Sequence, residues 1–167
     1  MNKRTIFAVS FFLIMLVVVF MYVHESPVPG GSRFHLPEPR DVEVGGINFT
    51  VSWGFLEDEQ PLENEIANVS NHQVLKSQRT FHQNDILLLS IAVCEFNENL
   101  SLDDLNDGSW HYKSINGVDG IFKNESVTTS TGVIKNTHPR YYFDYMKNGK
   151  LVMIECDKLS IIEEIVS

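Results

Sequence analysis

The sequence predicts an α+β protein: an N-terminal transmembrane helix, then a mainly antiparallel β-sheet domain with hairpins and a C-terminal helix packed on it. Three observations predict it. An uncharged run, "TIFAVSFFLIMLVVVFMYV", lies close to the start of the chain; two Asn-Gly pairs punctuate alternating apolar segments in the second half; and the closing "DKLSIIEEIVS" switches to helical spacing.

Thr5 to Val23 carries no charge. At a helical rise of about 1.5 Å per residue its roughly 19 residues come close to the hydrocarbon thickness of a bilayer. A secretory signal has a shorter apolar core, roughly 7–15 residues, followed by a small-x-small cleavage site. Here Met21, Tyr22, Val23, His24 and Glu25 end the run instead, so the segment reads as an uncleaved signal-anchor. Neither cysteine, Cys94 nor Cys156, lies close enough behind it to carry a lipid. Lys3 and Arg4 precede the span and the next basic residue is Arg33, which by the positive-inside rule leaves residues 1–4 in the cytoplasm and the bulk outside. The expected localisation is therefore the cell membrane, single-pass, contacted through Thr5–Val23, with an extracytoplasmic C-terminal domain. Residues 24–40 hold Pro27, Pro29, Pro37 and Pro39, which block helix continuation and regular ladder bonding, and read as a stalk. His24 and His35 in it lack the fixed geometry that a metal site needs.

Residues 41–167 form one domain's worth of chain, enough to enclose a single core. "DVEVGGINFTVSWGF" alternates around Gly45-Gly46 and predicts a hairpin. Glu57 to Asn71 is acidic, with Leu62, Ile66 and Val69 at helix-compatible spacing, and reads as a short amphipathic helix or a loop. "QVLKSQRTFHQNDILLLSIAVCEF" predicts two strands joined around Gln83-Asn84-Asp85; the second is apolar on both faces, which marks a central strand. "HYKSINGVDGIF" and "YYFDYMKNGKLVMIEC" predict two further hairpins, because Asn-Gly tolerates the positive φ values of a type I′ turn. In the closing segment Leu159, Ile161, Ile162, Ile165 and Val166 share a broad helical face, and Ser160 with Glu163 has capping-box spacing.

These last segments, "INGVDGIF", "YYFDYMKNGKLVMIEC" and "IIEEIV", resemble the C-terminal pattern of small membrane-anchored, extracytoplasmic proteins of methanogenic archaea. The resemblance covers about the final third and the anchor-and-stalk layout. It implies an exported archaeal membrane protein and supplies no catalytic residues to carry over. The order of sheet and helices is more distantly similar to the α+β layout of PsbP-like domains, without a shared residue signature.

Charge narrows the function classes. The chain has 13 Lys+Arg against 22 Asp+Glu, and setting Lys3 and Arg4 aside leaves about −11 on the exterior part. Such a surface repels phosphates and anionic headgroups, and no basic stripe with interleaved aromatics offsets it, so no nucleic-acid partner is expected. Asn-x-Ser/Thr sequons at Asn48, Asn68, Asn99 and Asn124 are candidate N-glycosylation sites. The last three fall in polar, turn-like surroundings, whereas Asn48 sits inside a strand pattern.

Cys94 and Cys156 each fall in or at the end of a strand. An exterior compartment favours pairing them, and the alternative is two buried thiols. A bridge closing about 60 residues would contribute about 4 kcal/mol in the chain-entropy model. "DDLNDG", Asp103 to Gly108, fails as a calcium loop: with Gly108 at the turn position, Leu105 and Ser114 occupy slots that need oxygen ligands and a bidentate Glu. A surface turn with a helix-starting Ser101 is the better reading. His111, His138 and Asp144 with Ser109 or Ser114 do not make a catalytic set by spacing. No nucleophile elbow, zinc helix, phosphate loop or dinucleotide fingerprint occurs. The aromatic "YYFDY" is core and cross-strand packing before it is a sugar platform. The expectation is a membrane-anchored binding or structural module without a cofactor or catalytic motif. The alternatives are an exported hydrolase acting on cell-surface glycans, recognisable by two carboxylates roughly 5–9.5 Å apart in a cleft, and an accessory subunit of a membrane complex.

Overall fold

The computed structural model describes residues 37–83, 87–131 and 134–166. The expected Thr5–Val23 anchor, most of the expected stalk, His24 and His35 lie outside the described residues. Among the described residues no helix is long and apolar enough to cross a membrane. The chain divides into Met1–His35 and Leu36–Ser167. Pro37 already belongs to the folded part, its carbonyl accepting the Gly54 N–H at 2.9 Å.

The first hairpin joins β1 (Arg40–Val44) to β2 (Ile47–Val51) in a two-stranded sheet. Alternation buries Val42, Val44, Ile47, Phe49 and Val51 on its inner face. Its turn needs glycine at Gly45, where φ is +54° and a Cβ would stand 2.9 Å from the Val93 side chain.

The remaining strands build one antiparallel sheet: β3 (Leu56–Glu57), β4 (Leu62–Val69), β5 (His72–Gln83), β6 (Leu87–Phe96), β7 (His111–Ile115), β8 (Val118–Thr131), β9 (Ile134–Lys147) and β10 (Lys150–Cys156). Their order is β3-β5-β6-β10-β9-β8-β7, with β4 also paired to β5. As predicted, β5 and β6 pair as neighbours, and β6 is central and buried on both faces between β5 and β10. The Asn116-Gly117 and Asn148-Gly149 turns close β7–β8 and β9–β10 with φ values of +51°, +80°, +55° and +75°. The long β8–β9 ribbon, paired from Gly120↔Tyr145 to Thr131↔Ile134, was not anticipated.

Three expectations need correction. Glu57–Asn71 contains no helix: the end of β3 and a short connection over 58–61 lead into the strand β4, an edge strand bulged at Asn64 and turned at Ser70-Asn71. An edge strand with one neighbour and a bulge carries no clean period-two pattern, and its charges deter edge-to-edge pairing. Of the sequons, only Asn99 lies in a loop; Asn48, Asn68 and Asn124 are exposed positions within β2, β4 and β8. Helical content is also small: α1 (Leu102–Leu105) is a single turn and α2 (Leu159–Ile165) is short. Helix α2 does pack as predicted, burying Ile162 and Ile165 with Val166. It starts at Leu159 with Lys158 as N-cap, so Ser160 stands inside the first turn and makes no capping box.

The sheet has two unlike faces. The first, with Leu89, Ile91, Val93, Val152, Ile154 and Phe143, is covered by the β1–β2 hairpin and α2 in the main core. Lys150 clasps that hairpin, its Nζ donating to the Gly45 carbonyl at 3.0 Å. The second face carries a smaller core of Val74, Cys94, Leu105 and Leu151, capped at one end by the segment through α1.

Candidate functional site

What the second face leaves uncovered is a cavity of about 220 Å³. Cross-strand register lays its floor as rows across four strands. Gln78, Ala92, Met153 and Asp144 form one row, and Ser90, Glu155 and Tyr142 form the next. Ala92 is small and Met153 pliable, so the row beside Asp144 leaves a depression that larger side chains would fill.

Trp110 supplies the wall, placed there by a run of local turns. The Ser101 N–H and hydroxyl both donate to Asp104 Oδ2, at 2.9 and 2.7 Å, and start α1 as predicted. Asn106 Oδ1 then accepts the Gly108 N–H, and Asp107 Oδ1 accepts the Ser109 N–H and hydroxyl. The Asn106 amide donates to the Trp110 carbonyl at 3.4 Å. "DDLNDG" is thus a structural turn that delivers an indole to the sheet, where it meets the Tyr142 ring edge-on at 6.1 Å between centroids.

Asp144 is the anomaly in this cavity. It is 6% exposed, and among the described residues it makes no hydrogen bond or ion pair. Burial alone pushes its carboxyl up to about 8, so it holds a proton at neutral pH. Most of its neighbours are already engaged. The Tyr142 hydroxyl donates to Glu125 at 2.7 Å, the Gln78 amide donates to Ser90 at 2.9 Å, and Glu155 pairs with Arg140 at 2.7 Å. Lys76 lines the same cavity and, among the described residues, has no ion pair or hydrogen bond. On the same face Cys94 stands directly opposite Lys76 across the β5–β6 ladder, and burial pushes its thiol up to about 11, with smaller opposing influences from Lys76 and Asp144.

A larger depression of about 460 Å³ opens between the β1–β2 turn and β5, lined by Glu43, Glu63, Arg79 and Lys150 among others. Its cations are satisfied internally: Arg79 pairs with Glu57 and Glu63, and Lys150 with Glu95.

The residues singled out from sequence are not brought together. Asp144 and His138 share β9 but stand six residues apart, about 20 Å along an extended strand. His138 instead approaches Asp157 at 3.6 Å. His111 and Ser114 are exposed on β7, and Ser109 is bound to Asp107. Cys94 and Cys156 are both free and buried. The expected pairing is overturned by register: Cys94 lies opposite Leu151 and Cys156 opposite Leu89, about five residues apart along the β6–β10 ladder. They also face opposite sides, Cys156 in the main core and Cys94 in the smaller one. Among the described residues no group of three or more His, Cys, Asp or Glu side chains is arranged to hold a metal.

By spacing Asp144 belongs to no catalytic set, and its isolation in the cavity was not foreseen from the sequence. The readable signal was a lone acid between Tyr142 and Met146 on a strand whose other face carries Tyr141, Phe143 and Tyr145 beside it. No family model, curated protein or solved structure matches the chain.

Proposed function

We propose that the chain is a membrane-anchored, extracytoplasmic binding module whose second sheet face receives a small ligand. The observation that carries the binding reading is Asp144, a buried carboxyl that has no partner among the described residues and lines a cavity of about 220 Å³. Isolated buried polar groups are costly, and sites that keep one commonly use it to meet something from outside. The volume is below the roughly 300–1,000 Å³ of pockets for drug-sized molecules, which suits a ligand of few atoms. Support for the membrane placement is the uncharged Thr5–Val23 run behind Lys3 and Arg4, together with the resemblance to anchored archaeal proteins. Two measurements test the reading. Protease added outside intact cells should degrade the domain. Small polar molecules should shift the Trp110 emission of the full chain carrying Trp53→Phe, and an unresponsive Trp110 across a broad panel would remove the binding reading.

A second reading, an exported glycan hydrolase, has one observation in its favour. Asp144 and Glu155 occupy diagonal positions on neighbouring strands, about 7–8 Å apart by sheet geometry, within the range of paired glycosidase carboxyls. It ranks second because Glu155 is already held by Arg140 and Asp144 stands at the cavity floor. Hydrolysis of surface polysaccharide that both Glu155→Gln and Asp144→Asn abolish would establish it.

A further inference from the structure

Resting on the binding reading above, we infer that the cavity recognises a small zwitterion whose ammonium meets Asp144 and whose carboxylate meets Lys76, with the two charges separated as in a dipeptide. The inference follows from which groups are spoken for. Of the ionisable side chains lining the cavity, Glu155 is occupied by Arg140 and Tyr142 by Glu125. Asp144 and Lys76 are left, one acid and one base, and a ligand that satisfies both carries one charge of each sign.

Spacing sets the distance between those charges. Asp144 lies across three strand spacings from Gln78, and Lys76 is one step further along β5. The two backbone positions are thus about 14 Å apart across the sheet and about 7 Å along it. The long Lys76 side chain reaches in from one end and the short Asp144 side chain stands at the other. An α-amino acid, whose charges are adjacent, cannot engage both. A dipeptide can, and its ammonium would lie near the Trp110 and Tyr142 rings, whose faces attract cations.

Binding then moves a proton. Free Asp144 is a carboxylic acid at neutral pH; an ammonium beside it makes the carboxylate the better form, and the proton passes to bulk solvent. The titratable groups around Asp144 are Glu155 on β10, Tyr142 on its own strand, Lys123 on β8, Cys94 on β6 and Lys76 on β5. Glu155 and Tyr142 keep their partners, Lys123 pairs with Glu125, and Cys94 is held protonated by burial. The released proton is therefore that of Asp144.

Calorimetric titration of the full chain in a mild detergent tests this with glycylglycine, glycylglycinamide, N-acetylglycylglycine and glucose, each in two buffers of different ionisation enthalpy at a pH about one unit below the Asp144 value. The expected result is that glycylglycine binds about tenfold or more tightly than either singly charged analogue, releasing close to one proton. Asp144→Asn should weaken it about tenfold or more and abolish the release, and Lys76→Met should weaken it similarly while leaving the release in place. Equal binding of glycylglycinamide, or unchanged affinity in Asp144→Asn, overturns the inference. Glucose binding in place of glycylglycine, sensitive to Asp144→Asn, overturns the zwitterion while the binding module stands. Silence from all four probes overturns the zwitterion, and if Trp110 is also unresponsive to the broader panel, the binding module falls with it.

Discussion

Replacing Asp144 by asparagine tests the central feature of the structure through stability alone. In the unfolded chain this carboxyl loses its proton near its ordinary 3.8, whereas burial in the fold holds the proton until about 8. Between those values the folded state binds one proton more than the unfolded state, so stability falls as pH rises through that window, by about 1.4 kcal/mol per pH unit. Below about pH 4 the penalty is absent; at pH 7 it approaches about 4 kcal/mol, and above about pH 8 it levels off near 6 kcal/mol as an upper bound. Asparagine has nearly the same shape and never ionises, so the variant escapes the penalty while burying a comparable polar group. Urea denaturation of the full chain and of Asp144→Asn at pH values from 4 to 8 should show near-equal stability at the acidic end. The variant should lead by about 2–4 kcal/mol at pH 7, with the gap widening in between. Curves that stay parallel across the range, or a wild type that leads at pH 7, would show that Asp144 is not an unpartnered buried acid.

Other consequences follow from neighbouring elements. Gly120 packs beneath Asp144: a Cβ there would stand 2.5 Å from the Asp144 carbonyl oxygen and 2.6 Å from the Phe143 ring. Gly120→Ala should therefore cost about 1–3 kcal/mol by overpacking, read as a lowered urea midpoint with an unchanged slope. Arg140 donates to Asp157 at 2.9 Å and to Glu155 at 2.7 Å; burial alone would lower its pKa, but these bonds and charges outweigh it and raise it. Arg140→Met takes the guanidinium from Asp157, whose side chain is 7% exposed but still accepts the Leu88 N–H at 3.1 Å and lies 3.6 Å from His138, and should lose about 1–3 kcal/mol, with a loss under about 0.5 kcal/mol refuting the tie. Burial pushes both cysteine thiols up to about 11, so a thiol reagent at neutral pH should label neither in the folded protein and both in urea, and mass spectrometry without reduction should find two free thiols.

Much of the sheet was legible in the sequence because its determinants are local. Asn116-Gly117 and Asn148-Gly149 announce their turns through backbone sterics, and Leu87 to Val93 announces a central strand because both faces of that strand are buried. The β4 edge strand was illegible for the converse reason: with a bulge at Asn64 and exposure on most positions, hydrophobicity imposes no period on it. The β8–β9 ribbon hid similarly behind its exposed Ser, Thr and Asn residues.

By itself, then, the sequence determined the local turns, the central strand, the uncharged apolar run near the N-terminus and the net negative charge, since each depends on composition or on residues near one another in the chain. Only the tertiary structure decided that Cys94 and Cys156 face opposite sides, that "DDLNDG" positions Trp110, and that Asp144 and Lys76 line one cavity with no hydrogen-bond or ion-pair partner among the described residues. Those facts depend on which strands are neighbours and in what register. A one-residue slip turns every side chain to the other face, and composition carries no record of that choice.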